Sequence, residues 1–113
     1  MSKVKEAVLA IFFTLFALST FAQTGSVRGR IIDAKTKKPL EFVNVSIRAT
    51  GTQTPLTGTV SDSTGVFRIN RVKNGAYTLT ASFIGYKSVE KEFTISPTAR
   101  NVNVKNILLE EDS

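Results

Sequence analysis

The chain has 113 residues, and its 15 lysines and arginines outnumber 9 aspartates and glutamates, which gives a net charge of +6 at pH 7. It contains neither cysteine nor histidine. Their absence excludes disulfides, thiolate nucleophiles, Cys-ligated metals and the imidazole base of a Ser-His-Asp or Cys-His device, and the short length predicts one domain.

The first 22 residues have the layout of a secretory signal peptide. Lys3 and Lys5 precede an apolar run, Ala7 to Ala22, and Thr20 and Ala22 are small residues just before a cleavage site at Gln23. A transmembrane anchor is the alternative, but the run is shorter than the roughly 20 residues that cross a bilayer. We therefore predict a signal-peptide helix over residues 1–22 and an exported mature chain without a membrane span.

The first part of the mature chain reads as strands joined by a turn-rich connector. "SVRGRIID" alternates between apolar and polar residues and then becomes apolar, and "DAKTKKPLEF" is the connector. In "VNVSIRA", the residues Val43, Val45 and Ile47 share one face, as in a half-buried strand.

The second part continues the alternation between turn signals. "TVSDSTGVFRINRV" reads as two strands around a turn from Asp62 to Gly65, because Asp can bond the backbone ahead and Gly accepts a positive φ. The inward positions of the later strands are Phe67, Ile69, Tyr77, Leu79, Ala81, Phe83, Phe93, Ile95, Val102 and Val104. About seven short strands at this spacing predict an all-β, seven-stranded antiparallel sandwich of Greek-key type over residues 23–109. Residues 110–113 are predicted as an acidic tail or the start of a linker.

The stretch "SFIGYKS" is the most informative segment of the later strands. Alternation places Phe83 in the core, and Gly85 is predicted at a bulge or tight bend where a Cβ would clash. Tyr86 is then expected to pack on the rim, with its hydroxyl available to a backbone carbonyl or water. The alternative is a ligand-binding lip. Tyr86 and Phe42 lie outside the main alternation and are the candidate ligand or partner contacts.

No pattern in the sequence predicts catalysis, a metal or a cofactor. A calcium loop needs several clustered oxygens, whereas "DSTG" offers only the carboxylate of Asp62, so a turn is expected there. Lys87 and Ser88 are adjacent on a strand and point to opposite faces, so they do not form a nucleophile–base pair. Nucleic-acid binding, the usual interpretation of a basic chain, is not expected of an exported protein.

Several short motifs occur together in the mature chain. They are Gly29 with Ile31-Ile32-Asp33, Pro39-Leu40, Val43-Asn44-Val45, Thr59 with Asp62, Gly65-x-Phe67, Gly75-x-Tyr77-x-Leu79 and Ser82-x-x-Gly85-Tyr86. In combination, across about Gly25 to Ile95, they resemble the carboxypeptidase-regulatory-like domain, a transthyretin-like (prealbumin-like) β-sandwich.

The resemblance implies a function in the bacterial envelope. Family members with a signal and a sandwich often form the N-terminus of TonB-dependent outer-membrane receptors in Bacteroidetes-like bacteria, although no plug or barrel segment follows before Ser113. We therefore expect a non-enzymatic periplasmic interaction module, from a truncated or split receptor or a free domain, with an envelope or outer-membrane protein as partner. The alternative is a secreted carbohydrate-binding module with a glycan ligand. The hydroxyisourate-hydrolysing relatives of transthyretin use histidines and a C-terminal signature that are absent here.

Overall fold

The computed structural model describes residues 24–112 as a β-sandwich of seven strands. The strands are β1 (Thr24–Asp33), β2 (Asn44–Ala49), β3 (Thr57–Val60), β4 (Val66–Lys73), β5 (Gly75–Ser82), β6 (Val89–Ile95) and β7 (Asn101–Leu109). Within this range no helix is long and apolar enough to cross a bilayer. The predicted signal peptide lies outside the described residues.

The strands form two sheets with the orders β4-β1-β7 and β3-β2-β5-β6. The predicted seven-stranded sandwich is thus confirmed, with one departure from the expected antiparallel pairing. β1 and β7 run parallel, from the Ser26–Asn101 pair to the Asp33–Leu109 pair. The connection after β6 carries the chain to the other sheet and brings β7 alongside β1 in the same direction. Alternation within one strand carries no information on the direction of its neighbour.

The core lies between the two sheets and contains the residues that alternation placed inward. The buried apolar side chains are Val27, Ile31, Val43, Val45, Ile47, Phe67, Ile69, Val72, Tyr77, Leu79, Ala81, Phe93, Ile95, Val104, Ile107 and Leu109. Phe83 and Val102 are half-buried and pack against this core. Gly29 pairs with Phe67, and a Cβ at Gly29 would lie 2.7 Å from the Phe67 Cζ and Val104 Cγ2 atoms, so this strand glycine makes room for the central phenylalanine.

The strand directions divide the loops between the two ends of the sandwich. One end, here called the corner end, holds the connector 34–43, the turn 61–65, the corner 83–88 and the segment 110–112. The opposite end holds the loop 50–56, the turn at Asn74 and the connection 96–100. Both residues predicted as contacts, Phe42 and Tyr86, therefore lie at the corner end.

Candidate functional site

The turn between β3 and β4 is built around the carboxylate of Asp62. Its Oδ1 accepts hydrogen bonds from the Thr64 hydroxyl at 2.7 Å and from the backbone N–H groups of Thr64 and Val66 at 2.9 and 3.0 Å. These bonds, the one from the Thr64 hydroxyl above all, hold the pKa of Asp62 below its ordinary value, and Arg30 adds a smaller effect. Gly65 has a φ of 79°. The predicted turn is confirmed.

Asp33 and Tyr86 join two loops of the corner end. Asp33 Oδ1 accepts from the backbone N–H groups of Lys35 and Thr36 at 2.8 and 2.9 Å, and Oδ2 accepts from the Tyr86 hydroxyl at 2.6 Å. The Tyr86 ring is half-buried, with its centroid 5.7 Å from that of Phe83. The rim position expected of Tyr86 is found, but its hydroxyl bonds a carboxylate and not a backbone carbonyl or water.

This hydrogen bond shifts the pKa of both partners. Donation from the Tyr86 hydroxyl, followed by the N–H groups of Thr36 and Lys35, lowers the pKa of Asp33 to about 2. The same bond, with burial and the charge of Asp33, raises the pKa of Tyr86 to about 12. Near neutral pH the pair is therefore held as a carboxylate and a neutral phenol.

Gly85 permits the corner for a different reason from the one predicted. A Cβ at Gly85 would meet no atom within 4 Å, so the expected clash is wrong, and its φ of 86° is what favours glycine. The segment predicted as a tail or linker hydrogen-bonds here: Lys87 N–H donates to the Glu110 carbonyl at 2.9 Å, and Asp112 N–H to the Gly85 carbonyl at 2.8 Å.

Phe42 lies in a β-bulge at the start of β2. Its N–H donates to the Ser61 carbonyl at 3.0 Å, and Ser61 N–H donates to the Val43 carbonyl at 3.1 Å, so two residues oppose one. Phe42 has a φ of 63°, a region that suits glycine and not a bulky aromatic residue. The buried Ser61 hydroxyl accepts from Val43 N–H at 3.0 Å and donates to the Leu40 carbonyl at 2.7 Å, which holds the bulge in place.

Phe42, Val60 and Ile84 are exposed apolar residues at the corner end, and the three are here called the corner patch. Their exposed fractions are 66%, 50% and 95%. Asn44 pairs with Val60 on one side and with Ser82 on the other, and Phe42 and Ile84 lie two residues beyond this row. Register therefore places all three at one end of the four-stranded sheet. Exposed apolar side chains gathered at one end of a sheet are candidates for an interaction site.

The sequence predicted one member of the corner patch and missed two. Phe42 was named as a contact; the structure leaves it exposed, and its role as a contact stays a prediction. The exposure of Ile84 could have been predicted, because the inward–outward alternation of β5, extended two residues beyond Ser82, places Ile84 on the outward face. The exposure of Val60 could not, since an isolated valine in a strand is more often buried. Tyr86 is near the patch in the fold, but its hydroxyl is already bonded within the chain.

The described residues offer little for metal binding. Nowhere in residues 24–112 do three His, Cys, Asp or Glu side chains gather as a metal site requires. Asp33 and Asp62 accept hydrogen bonds that form their own turns. The corner end exposes charged side chains of the connector 34–43 and of the segment 110–112 beside its apolar residues.

The chain is similar to one protein family and to several solved structures. The family model described as CarboxypepD_reg-like domain matches residues 27–113. No curated protein matches the chain. The pilus 2b backbone protein of group B streptococcus has a TM-score of 0.63 at 16% identity, covering 80% of this chain and 42% of its own. The Bacillus cereus major pilin subunit BcpA has a TM-score of 0.64 at 17% identity, covering 80% of this chain and 31% of its own.

A third solved structure is an enzyme, the 5-hydroxyisourate hydrolase of Klebsiella pneumoniae. Its TM-score is 0.56 at 21% identity, and the match covers 80% of this chain and 93% of the hydrolase. The chain spans less than half the length of the two pilus proteins. At these identities the similarities establish a shared sandwich fold and nothing about activity.

Proposed function

This chain belongs to the carboxypeptidase-regulatory-like domain family, and from that membership we propose that it is a non-enzymatic interaction module exported to the bacterial envelope. Its place would be the periplasm, as the N-terminal domain of a TonB-dependent outer-membrane receptor or as a separate piece of one. The signal-peptide layout of residues 1–22 supports export. The proposed partner is another envelope protein, which binds at the corner patch.

The conformation and exposure of Phe42 carry this proposal. A left-handed backbone costs a residue with a Cβ about 1–2 kcal/mol, and glycine would occupy the bulge without that strain. The Phe42 ring is 66% exposed, so burial within this chain does not offset the strain. Burial of the ring against a partner would, since a phenylalanine side chain removed from water contributes about 1.5–3 kcal/mol. Strained residues of this kind cluster at binding sites.

The residues of the sandwich also support a role without catalysis. The chain has no histidine and no cysteine. The carboxylates of Asp33 and Asp62 accept hydrogen bonds that stabilise their own turns. Their hydrogen-bond donors are backbone N–H groups and the hydroxyls of Thr64 and Tyr86, and neither carboxylate is paired with a second carboxyl group in the described part of the chain. The hydrolase with the same fold is similar at only 21% identity, and its activity is not transferred to this chain.

Cross-linking in envelope preparations tests the proposed partner site. The exported full-length chain is compared with its Phe42→Ser and Ile84→Ser variants, and with Leu56→Ser as a matched control. Leu56 is 62% exposed but lies at the opposite end of the sandwich. We expect one cross-linked envelope protein that is lost in the first two variants and kept in the control. No adduct, or an adduct that all three variants keep, contradicts the proposal.

A further inference from the structure

The outer face of the three-stranded sheet carries four cations, Arg28, Arg30, Arg68 and Lys105, here called the basic face. Arg28 pairs with Arg68 on β4. On the other side of β1, Arg28 pairs with Asn103 and Arg30 with Asn106 on β7. All of these side chains are exposed. The cations therefore lie on one surface, on residues whose neighbouring Cα atoms are about 5–7 Å apart along and across the strands.

Within residues 24–112 no acidic side chain forms an ion pair with these cations, although Arg30 is close enough to Asp62 for its charge to help lower the pKa of that carboxyl. The one ion pair within residues 24–112 joins Arg48 and Glu90 on the other sheet. Arg30 Nε donates to the Thr64 carbonyl and Arg68 Nε to the Asn70 amide oxygen, which leaves their positive charges in place. Like charges directly opposite on paired strands are destabilising, so the Arg28–Arg68 pair opposes folding. An anion bound to this face would relieve the repulsion.

A bulge in β7 gives the basic face its shape. Three residues of β1, Arg28 to Arg30, lie opposite four residues of β7, Asn103 to Asn106. The extra residue is Lys105, whose φ is 63°, and its N–H donates to the Asn103 side chain at 2.8 Å. The bulge turns Lys105 and Asn106 to solvent together. A shallow open groove of about 510 Å³ lies here, and its lining side chains are those of Arg28, Arg30, Asn103, Lys105 and Asn106 together with the apolar Val66.

The arginine and asparagine side chains of this groove favour one class of ligand. Guanidinium groups bind carboxylates in a bidentate manner, and asparagine amides both donate to and accept from hydroxyls. A polyuronate, a sugar polymer with repeated carboxylates and hydroxyls, offers both groups. The outward positions of the described sheet include no aromatic residue, and the exposed large apolar side chains there are only Val66 and Leu108. Amphipathic helices that bind membranes carry a whole face of Trp, Phe or Leu instead. We propose that the basic face binds an acidic polysaccharide of this kind along β1.

Binding of polygalacturonate oligomers to the full-length chain tests this proposal. The Arg28→Gln/Arg68→Gln variant is compared with Lys35→Gln/Lys38→Gln, which removes the same charge from the exposed connector 34–43. Because each lost guanidinium removes a charge-assisted hydrogen bond, we expect the first variant to weaken binding about tenfold or more, and the second less than about twofold. The melting temperature of the Arg28→Gln/Arg68→Gln variant is expected to be no lower than that of the parent chain, because this variant lacks the like-charge pair.

Two further probes separate a polyuronate from other anions. Asn106→Ala is expected to weaken binding of polygalacturonate more than binding of inorganic polyphosphate, because polyphosphate can accept from the amide N–H groups but has no sugar hydroxyl to donate to the amide oxygen. Vesicles of phosphatidylglycerol are expected to bind more weakly than polygalacturonate. The proposal is overturned if polygalacturonate does not bind, if both double variants lose binding equally, or if vesicles bind as tightly with the same dependence on Arg28 and Arg68. None of these results bears on the corner patch, which lies on the other sheet.

Discussion

The Tyr86 hydroxyl donates a 2.6 Å hydrogen bond to the Asp33 carboxylate, across 53 residues of sequence. Asp33 ends β1 in the three-stranded sheet, and Tyr86 follows β5 of the four-stranded sheet. The bond therefore ties the two sheets together at the corner end. Because it favours one ionic form of each partner, it makes stability depend on pH at both extremes.

Removal of the Tyr86 hydroxyl should flatten both limbs of the pH–stability profile. The lowered pKa of Asp33 contributes stability above its unfolded pKa of about 4, and this is lost as pH falls toward 2. The raised pKa of Tyr86 contributes stability below about pH 10 that is lost as pH rises toward 12. In Tyr86→Phe the alkaline loss should vanish and the acid loss should shrink, since Lys35 and Thr36 still donate to Asp33.

Urea unfolding midpoints from pH 2 to pH 12 measure this effect. Tyr77→Phe is the matched control, because the Tyr77 hydroxyl donates to the Lys73 backbone carbonyl and not to a carboxylate. Its acid limb should follow that of the parent chain. Superimposable profiles for Tyr86→Phe and the parent chain would show that the bond does not contribute in solution.

Ser61→Ala should destabilise the sandwich by about 1–3 kcal/mol, because it leaves the Val43 N–H and the Leu40 carbonyl without their side-chain partner. Ser63→Ala, in the exposed turn nearby, should change the free energy of unfolding by less than about 0.5 kcal/mol. Denaturant titration of both variants at neutral pH provides the comparison. Equal values for the two would contradict the role of Ser61.

Gly65→Ala and Gly51→Ala should differ although both glycines have positive φ, 79° and 90°. A Cβ at Gly51 meets nothing within 4 Å, whereas a Cβ at Gly65 would collide with the Ile31 carbonyl oxygen. We expect a loss of about 1–2 kcal/mol from backbone strain alone at Gly51 and a larger loss at Gly65. Thermal melts of the two variants test the order, and a smaller loss at Gly65 would refute it.

Phe42→Gly should raise the free energy of unfolding by about 0.5–1 kcal/mol, because relief of left-handed strain outweighs the added freedom of glycine in the unfolded chain. Phe42→Ala keeps the strain and serves as the control. The glycine variant should therefore be the more stable of the two in denaturant titration. If alanine is equally stable, the bulge does not strain residue 42.

Local patterns in the sequence predicted much of the sandwich. Alternation identified Val43, Val45 and Ile47 as one buried face, because a strand with one face on a core repeats every two residues. The turn at Asp62 was predictable because its hydrogen bonds are made to residues two and four positions away. Both features depend on neighbours in sequence.

Features that depend on distant segments could not be predicted in this way. The Asp33–Tyr86 bond joins two loops whose approach is set only when both sheets form. The left-handed backbone of Phe42 has no sequence signal, since phenylalanine does not favour it and the opposing Ser61 imposes it. The basic face likewise became evident only when β1 was placed between Arg68 of β4 and Lys105 of β7.

The parallel pairing of β1 with β7 determines how the sandwich would respond to tension. Thr24 and Leu109 lie at opposite ends of the same pair of strands. A pull applied between them would load the β1–β7 ladder in shear, so its hydrogen bonds would have to break together. In a hairpin that is peeled open, by contrast, the hydrogen bonds break one after another. Tension applied between these two residues would therefore be borne by the whole length of the β1–β7 ladder.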